Sequence, residues 1–333
     1  MAGEESIPAE YADLAEGLEK QGLAIESVLG RGGVGVVFAA RQDDAKVAVK
    51  IAHPHVAESE AWSATSTVQR LRVPKLTADG LAVHCIPAVS LSLCNRVVQG
   101  ETVRLLDTKD EAVVRSLGRI QLGNRQGYLM PRVTGDALSL KPGPGLTNLA
   151  RAIHRLHQVD WPHGDLKPQN VRVNADGGVT LIDPLPVGSE LLTPEFSHMN
   201  FLVASPLVDS ADPRDRRMVA RHRDLVALAL MVSEAFAEMR PWGHNEVARM
   251  LDRSVSMHTK RMDLANARDR LQTLLGKLPK PLKAFVSLAL EPGIWPEEGP
   301  IFAAYLQARP FETRCDALST LDVGALVAEA TAG

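Results

Sequence analysis

Two carboxylates and an amide stand at a spacing suited to moving a phosphoryl group. Asp165 and Asn170 fall within His163 to Asn170, HGDLKPQN, and Asp183 follows thirteen residues after Asn170. Transfer of a γ-phosphoryl asks little covalent chemistry of a protein. It needs a carboxylate near the attacking hydroxyl, and oxygen ligands that hold hard cations against the phosphates. Asp165, Asn170 and Asp183 are of the right types, and Lys167 adds a cation two positions after Asp165. The residues from Val171 to Asp183, VRVNADGGVTLID, alternate apolar positions around Asp176, Gly177 and Gly178. That pattern predicts a β-hairpin that returns Asp183 to the side of Asn170.

A second set lies nearer the N-terminus. Residues 29 to 38, LGRGGVGVVF, contain GxGxxGxV in Gly30, Gly32, Gly35 and Val37, with Gly33 between, and VAVK ends at Lys50. A lone GxGxxG is weak, because the same spacing marks dinucleotide-binding folds, where the glycines join a strand to a helix and an acidic residue follows about twenty positions later. Here VVFAARQDDAKVAVKIA reads as two strands turned at Asp43 and Asp44, and the residue fifteen positions after Gly35 is Lys50.

In this order and spacing, the motifs resemble the glycine loop, phosphate-binding lysine, catalytic loop and metal-binding segment of the eukaryotic-type (Hanks-type) serine/threonine protein kinases, whose pattern is HRDxxxxN and then DFG. The resemblance implies an α+β, two-lobed protein-kinase-like fold. Residues 1–333 would be one kinase-like domain, with a β-rich N-lobe over about 20–133, an insertion over about 75–112, and an α-helical C-lobe over about 134–333. It implies ATP and Mg²⁺ as cofactors and a serine or threonine hydroxyl on a protein substrate as acceptor. Asp165 would then take or orient the hydroxyl proton, and Lys167 would neutralise charge on the γ-phosphoryl. Asn170 and Asp183 would ligate Mg²⁺, and Lys50 would reach the α- and β-phosphates beneath the N–H groups of Gly30, Gly32, Gly33 and Gly35. Val37, Ala48, Met130, Pro131, Val133 and Arg172 would surround the adenine. A helix over Ala57 to Arg72 offers Glu60 as partner of Lys50, although Ala64 holds the register of simple alignment and Glu101 is a third candidate.

Departures from the family pattern carry information of their own. Gly164 stands where the family has the arginine that clamps a phosphorylated segment, so switching by that route is not expected. Asp183 is followed by Pro184 and Leu185 in place of Phe and Gly, which fixes one φ angle and removes a flexible residue. Arg172 replaces an aliphatic floor under the adenine, and Pro131 removes one hinge N–H while Val133 keeps the next one needed. His222, Arg223 and Asp224 spell HRD, but Ala229 lies five beyond Asp224 where a metal-holding asparagine would be needed. The surroundings resemble the large lobe's central helix, whose starting aspartate supports the catalytic-loop backbone. The segment's far anchor is Glu195 in TPE or the less complete Ser205 and Pro206. If it is Glu195, the resemblance pairs it with Arg314 in PFETRCDAL.

The remaining elements must carry these residues. Residues 8 to 22 predict a short amphipathic helix, LAIESVL a strand, YLMPRV the strand and hinge, Leu146 to Gln158 a helix, and residues 221 to 239 a strongly apolar helix. Arg214, Arg216, Arg217, Arg221 and Arg223 form a basic run that reads as a solvated face or as a contact for a phosphate or acidic peptide. His154, His157 and His163 lack a completing cysteine or carboxylate for zinc.

The composition, 45% hydrophobic with net charge −3, supports a sizeable core and argues against a nucleic-acid-coating surface. With 4% aromatic residues, few platforms exist for stacking bases. No apolar run reaches membrane-spanning length and MAGEESIPAE lacks a charged leader, so a cytoplasmic protein with no membrane partner is expected. Cys85, Cys94 and Cys315 read as reduced thiols. Three rival readings stay open: a weak or dead pseudokinase acting as a nucleotide-binding interaction module, a small-molecule phosphotransferase, and a purely structural interaction protein. Lys167 and the Arg314 motif weigh against the second, and the retained phosphate-directed residues weigh against the third.

Overall fold

The computed structural model describes residues 7–31, 35–52, 118–123, 125–158, 162–182, 194–198, 213–251, 254–291 and 309–333. The protein is a mixed α+β chain, with an antiparallel sheet in its N-terminal region and helices towards its C-terminus. It divides into two compact units. The first comprises the described parts of Met1–Asp136, Arg172–Ala175 and Thr180–Pro186, and the second those of Ala137–Val171, Asp176–Val179 and Val187–Gly333.

The first unit is built on β1 (Ala24–Arg31), β2 (Gly35–Gln42), β3 (Ala45–Ala52), β4 (Gly118–Leu122) and β5 (Arg125–Pro131), in the order β1-β2-β3-β5-β4. The strands β2 and β3 are dense in valine and alanine and turn at Asp43, whose φ of 54° is one that aspartate tolerates better than most residues. The register pairs Val36 with Ile51, Phe38 with Val49 and Ala40 with Val47. Those six are buried, and with Leu14 and Leu18 of the helix α1 (Ala12–Glu19) they form one apolar core. A short 3₁₀ turn, Ala9–Tyr11, leads into α1, as the amphipathic pattern over residues 8 to 22 predicts.

The second unit is helical. Its helix α2 (Pro144–Gln158) buries Leu146, Leu149, Ile153 and Leu156, a single face at helical spacing. Helix α3 (Pro213–Ala237) is buried without interruption from Leu225 to Val232. Around these lie α4 (His244–Leu251), α5 (Met257–Lys277), α6 (Lys280–Leu290), α7 (Arg309–Ser319) and α8 (Val323–Ala332). Helix α3 starts eight residues before the apolar stretch predicted from 221, because the basic run ahead of it is made of good helix formers behind a proline at the first position. It stops at Glu238, which has φ 54°. Among the described residues, side chains cap α5 and α8. Ser256 Oγ accepts from Thr259 N at 3.2 Å and Asp322 Oδ1 accepts from Ala325 N at 2.9 Å, each cap contributing about 1 kcal/mol.

A small three-stranded sheet, β6 (Asp136–Ala137), β7 (Val171–Val173) and β8 (Val179–Leu181), has β7 in its middle. The hairpin predicted over Val171 to Asp183 is thus formed as far as Ile182. Its turn places Gly177 at φ 81°, and Asn148 Nδ2 donates to the Gly177 carbonyl at 2.8 Å. Among the described residues, no helix is long and apolar enough to cross a membrane.

Candidate active site

The segment from His163 to Asn170 is held by its own backbone and by one buried aspartate. Asp224, on α3, is fully buried. Its Oδ2 accepts from the backbone N–H of His163 at 2.7 Å and lies 2.9 Å from His157 Nε2, and its Oδ1 accepts from the N–H of Gly164 at 2.8 Å. A buried carboxylate is tolerable only with its lone pairs filled in this way. The HRD triplet at 222–224 therefore serves the loop from beneath. Asp224 sits in the middle of α3 and not at its start, since the helix extends back through the basic run.

Gly164 has φ 82°, which lets two successive N–H groups face one carboxylate. Beyond the turn, Lys167 Nζ donates to Asp165 Oδ2 at 2.8 Å, and Asn170 Nδ2 donates both to that oxygen at 3.0 Å and to the Asp165 carbonyl at 2.9 Å. Pro168 opens the 3₁₀ turn that carries Asn170, its fixed φ suiting the first position. Three of the expected site residues, Asp165, Lys167 and Asn170, thus form one cluster. With the Asn170 amide nitrogen committed to Asp165, its oxygen is the atom left for a hard cation, which fits the donor chemistry Mg²⁺ needs. Asp183, the other expected ligand, falls outside the described residues, as do Pro184 and Leu185.

In the first unit, strand register aligns five of the eleven expected nucleotide residues: Gly30, Val37, Ala48, Lys50 and Met130. Gly30 pairs with Val37, Val37 with Lys50, and Lys50 with Tyr128; two residues along, Ala39 pairs with Ala48 and Ala48 with Met130. Paired residues share a face and successive residues alternate, so Val37, Ala48 and Lys50 lie on the face opposite the α1 core. Pro131 is in register with Val47, a core position. Val133 lies just past β5 and Arg172 is the middle residue of β7, both half-buried. Gly35 is the first residue of β2, while Gly32, Gly33 and Glu60 fall outside the described residues, together with the helix predicted over 57–72, Glu101 and the insertion over 75–112.

Arg223, next to Asp224, belongs both to the basic run and to the HRD triplet. Burial pushes its guanidinium down to about 10, offset by attraction to Asp224 and Asp165, so it stays charged at neutral pH. Arg221 donates to the His157 carbonyl at 2.8 Å. A wholly solvated face is therefore not what Arg221 and Arg223 form, because the helix turns both inward. In the sequence, Arg221 stands three residues and Arg223 one residue before Asp224.

Glu195 and Arg314, which the resemblance pairs if Glu195 is the anchor, each meet another partner among the described residues. Glu195 Oε1 lies 3.5 Å from His244 Nδ1 and its carbonyl accepts from Arg240 Nη1 at 3.1 Å, whereas Arg314 Nη1 donates to the Glu291 carbonyl at 2.6 Å. Arg240 also stacks over Phe196 at 4.5 Å, and Trp242 Nε1 donates to the Ser197 carbonyl at 3.1 Å. Residues 194 to 198 are thus secured through their backbone and an aromatic ring.

His198 and His222 lie behind this contact, both buried, with ring centres 6.0 Å apart. Burial, helped by Arg314, holds His198 down at about 3, and burial with His198 beside it holds His222 well below the usual histidine range. No known family model and no curated protein sequence matches the chain.

Proposed function

We propose that the protein is a kinase that transfers the γ-phosphoryl of ATP, with Mg²⁺, to a serine or threonine hydroxyl on a protein substrate. It would do so within a two-lobed protein-kinase-like fold. The observation that carries this reading is the Asp165–Lys167–Asn170 cluster on a loop fixed by Asp224. Further support comes from the register that puts Lys50 in line with Gly30 and Val37. Magnesium, when bound, would neutralise charge on the phosphates, with Asn170 and Asp183 as its protein ligands.

Asp165 orients the substrate hydroxyl and accepts its proton as the new O–P bond forms and the bond to the ADP oxygen breaks. Lys167 shares its ammonium between Asp165 and the phosphoryl oxygens. Lys50 fixes the α- and β-phosphates, while Val37 and Ala48 present apolar surface to the base. The cytoplasm is the compartment that fits this chemistry and its ATP supply.

The test is incubation with γ-labelled ATP and Mg²⁺, looking for label on the protein itself and on a generic basic protein. Wild type is expected to transfer label, and Asp165→Ala to do so roughly 10²–10⁴-fold more slowly. Nucleotide binding with no transfer would overturn the enzyme reading in favour of a binding module, the alternative that Pro184 and Leu185 beside Asp183 favour. Label that appears only on small hydroxyl compounds would favour a small-molecule phosphotransferase.

A further inference from the structure

Arg31 stands between Gly30 and Gly32, where a cation would ordinarily be taken for a phosphate ligand. Its register says otherwise. Arg31 pairs with Val36, one step from the Gly30–Val37–Lys50 row, so it belongs to the face that carries Phe38 and α1. On that face it meets the turn that precedes α1. Its Nη1 is 2.9 Å from Glu10 Oε1, and its guanidinium lies 5.2 Å from the centre of the Tyr11 ring. Tyr11 stands edge-on to Phe38 at 6.1 Å, and Phe38 is completely buried. A continuous path of contacts thus runs from the sheet core through Phe38 and Tyr11 to Arg31.

The strand it reaches needs support. Register shifts interrupt β1 between Ile25 and Ser27 and again between Val28 and Gly30, so the ladder is irregular just before the glycines. Glycine adds conformational freedom there and offers no side chain to hold the pairing.

We propose that Glu10 and Tyr11 form a strut that fixes the glycine-bearing end of the β1–β2 ladder through Arg31. Arg31 is then a positioning residue: it touches no phosphate, but keeps Gly30 and Val37 in the row that holds Lys50. The effect on nucleotide affinity rests on the kinase reading given above, whereas the strut itself does not. Both contacts are partly exposed, so each is modest, and the expected effects are small multiples.

The experiment compares the full chain with Glu10→Gln, Arg31→Ala and the exchanged pair Glu10→Arg with Arg31→Glu. Amide exchange at Gly30, Arg31, Val36 and Val37 is measured without nucleotide, and affinity is measured for a fluorescent ATP analogue with Mg²⁺. Each single variant is expected to exchange faster and to bind the analogue roughly two- to fivefold more weakly. The exchanged pair, which restores the ion pair but not the cation beside Tyr11, is expected to recover part of both. Unchanged exchange in the single variants would overturn the strut. Tighter binding by Glu10→Gln would overturn it too, making Arg31 a phosphate ligand for which Glu10 competes. If the wild type fails to bind the analogue, the kinase reading fails, and the exchange rates alone decide for or against the strut.

Discussion

Gly164 shows how one residue can be legible in type and hidden in role. As a letter it is the missing arginine of HRD, and the inference about regulation follows from that. In the structure its φ of 82° is what aims two N–H groups at Asp224. Any side chain there meets the steric cost of the left-handed region, roughly 1–2 kcal/mol. Gly164→Ala is expected to lower stability by about that amount in a urea titration, and Gly164→Arg to carry the same backbone cost without creating phosphate control. A variant as stable as wild type would mean that the loop relaxes to another conformation. Asp165, Lys167 and Asn170 were legible because their contacts span two to five residues. The Asp224 clamp reaches across sixty residues and was visible only through resemblance.

Among the elements, the sheet was the most readable, since alternation and the Asp43–Asp44 turn set β2 and β3 directly. What the letters did not give was the fit of β5 against β3. Gly127 pairs with Ile51, and a Cβ there would stand 2.3 Å from Ile51 Cδ1 and 2.5 Å from the Lys50 carbonyl oxygen. The second of these is backbone and cannot swing aside. Gly127→Ala is therefore expected to push β5 off β3 beside Lys50, costing about 1–3 kcal/mol as overpacking does. It should weaken nucleotide binding along with stability, measured by thermal unfolding and by analogue affinity. Unaltered unfolding would show that the two strands can separate at little cost. The conditional Glu195–Arg314 pairing belongs to this scale as well: the Glu195 carboxylate lies 3.5 Å from His244 Nδ1 and Arg314 Nη1 donates to the Glu291 carbonyl, partners that packing and not spacing selects.

For the molecule as a whole, pH is the sharpest lever, through His198 and His222. Both are neutral when folded, with His198 at about 3 against an ordinary 6.5. The unfolded chain takes up their protons as pH falls below 6.5 while the folded chain does not. Stability is therefore full above that value and declines as pH falls below it. For His198 the loss levels off near pH 3. Carboxylates such as Glu26, held low chiefly by Arg41, add a loss in the same direction only at more acid pH. Urea midpoints measured between pH 6.5 and 4.5 are expected to fall steadily in the wild type, and less steeply in His198→Gln. Equal slopes would mean that His198 is protonated in the folded protein.

The sequence by itself determined the chemistry on offer and the local frame that carries it: HGDLKPQN as a compact cluster, the paired strands bearing Val37, Ala48 and Lys50, and the helices α2 and α3. Those follow from nearest-neighbour geometry, from the period of two in strands and 3.6 in helices, and from turn residues whose preferences are intrinsic. Tertiary structure alone decided which distant groups complete them. Asp224 beneath the loop, Arg223 turned inward, Arg240 and Trp242 on residues 194 to 198, and Glu10 with Tyr11 on Arg31 all depend on where packing brings separate elements. Contacts of that kind leave no periodic trace in the chain, because burial and register, not spacing, select the partner.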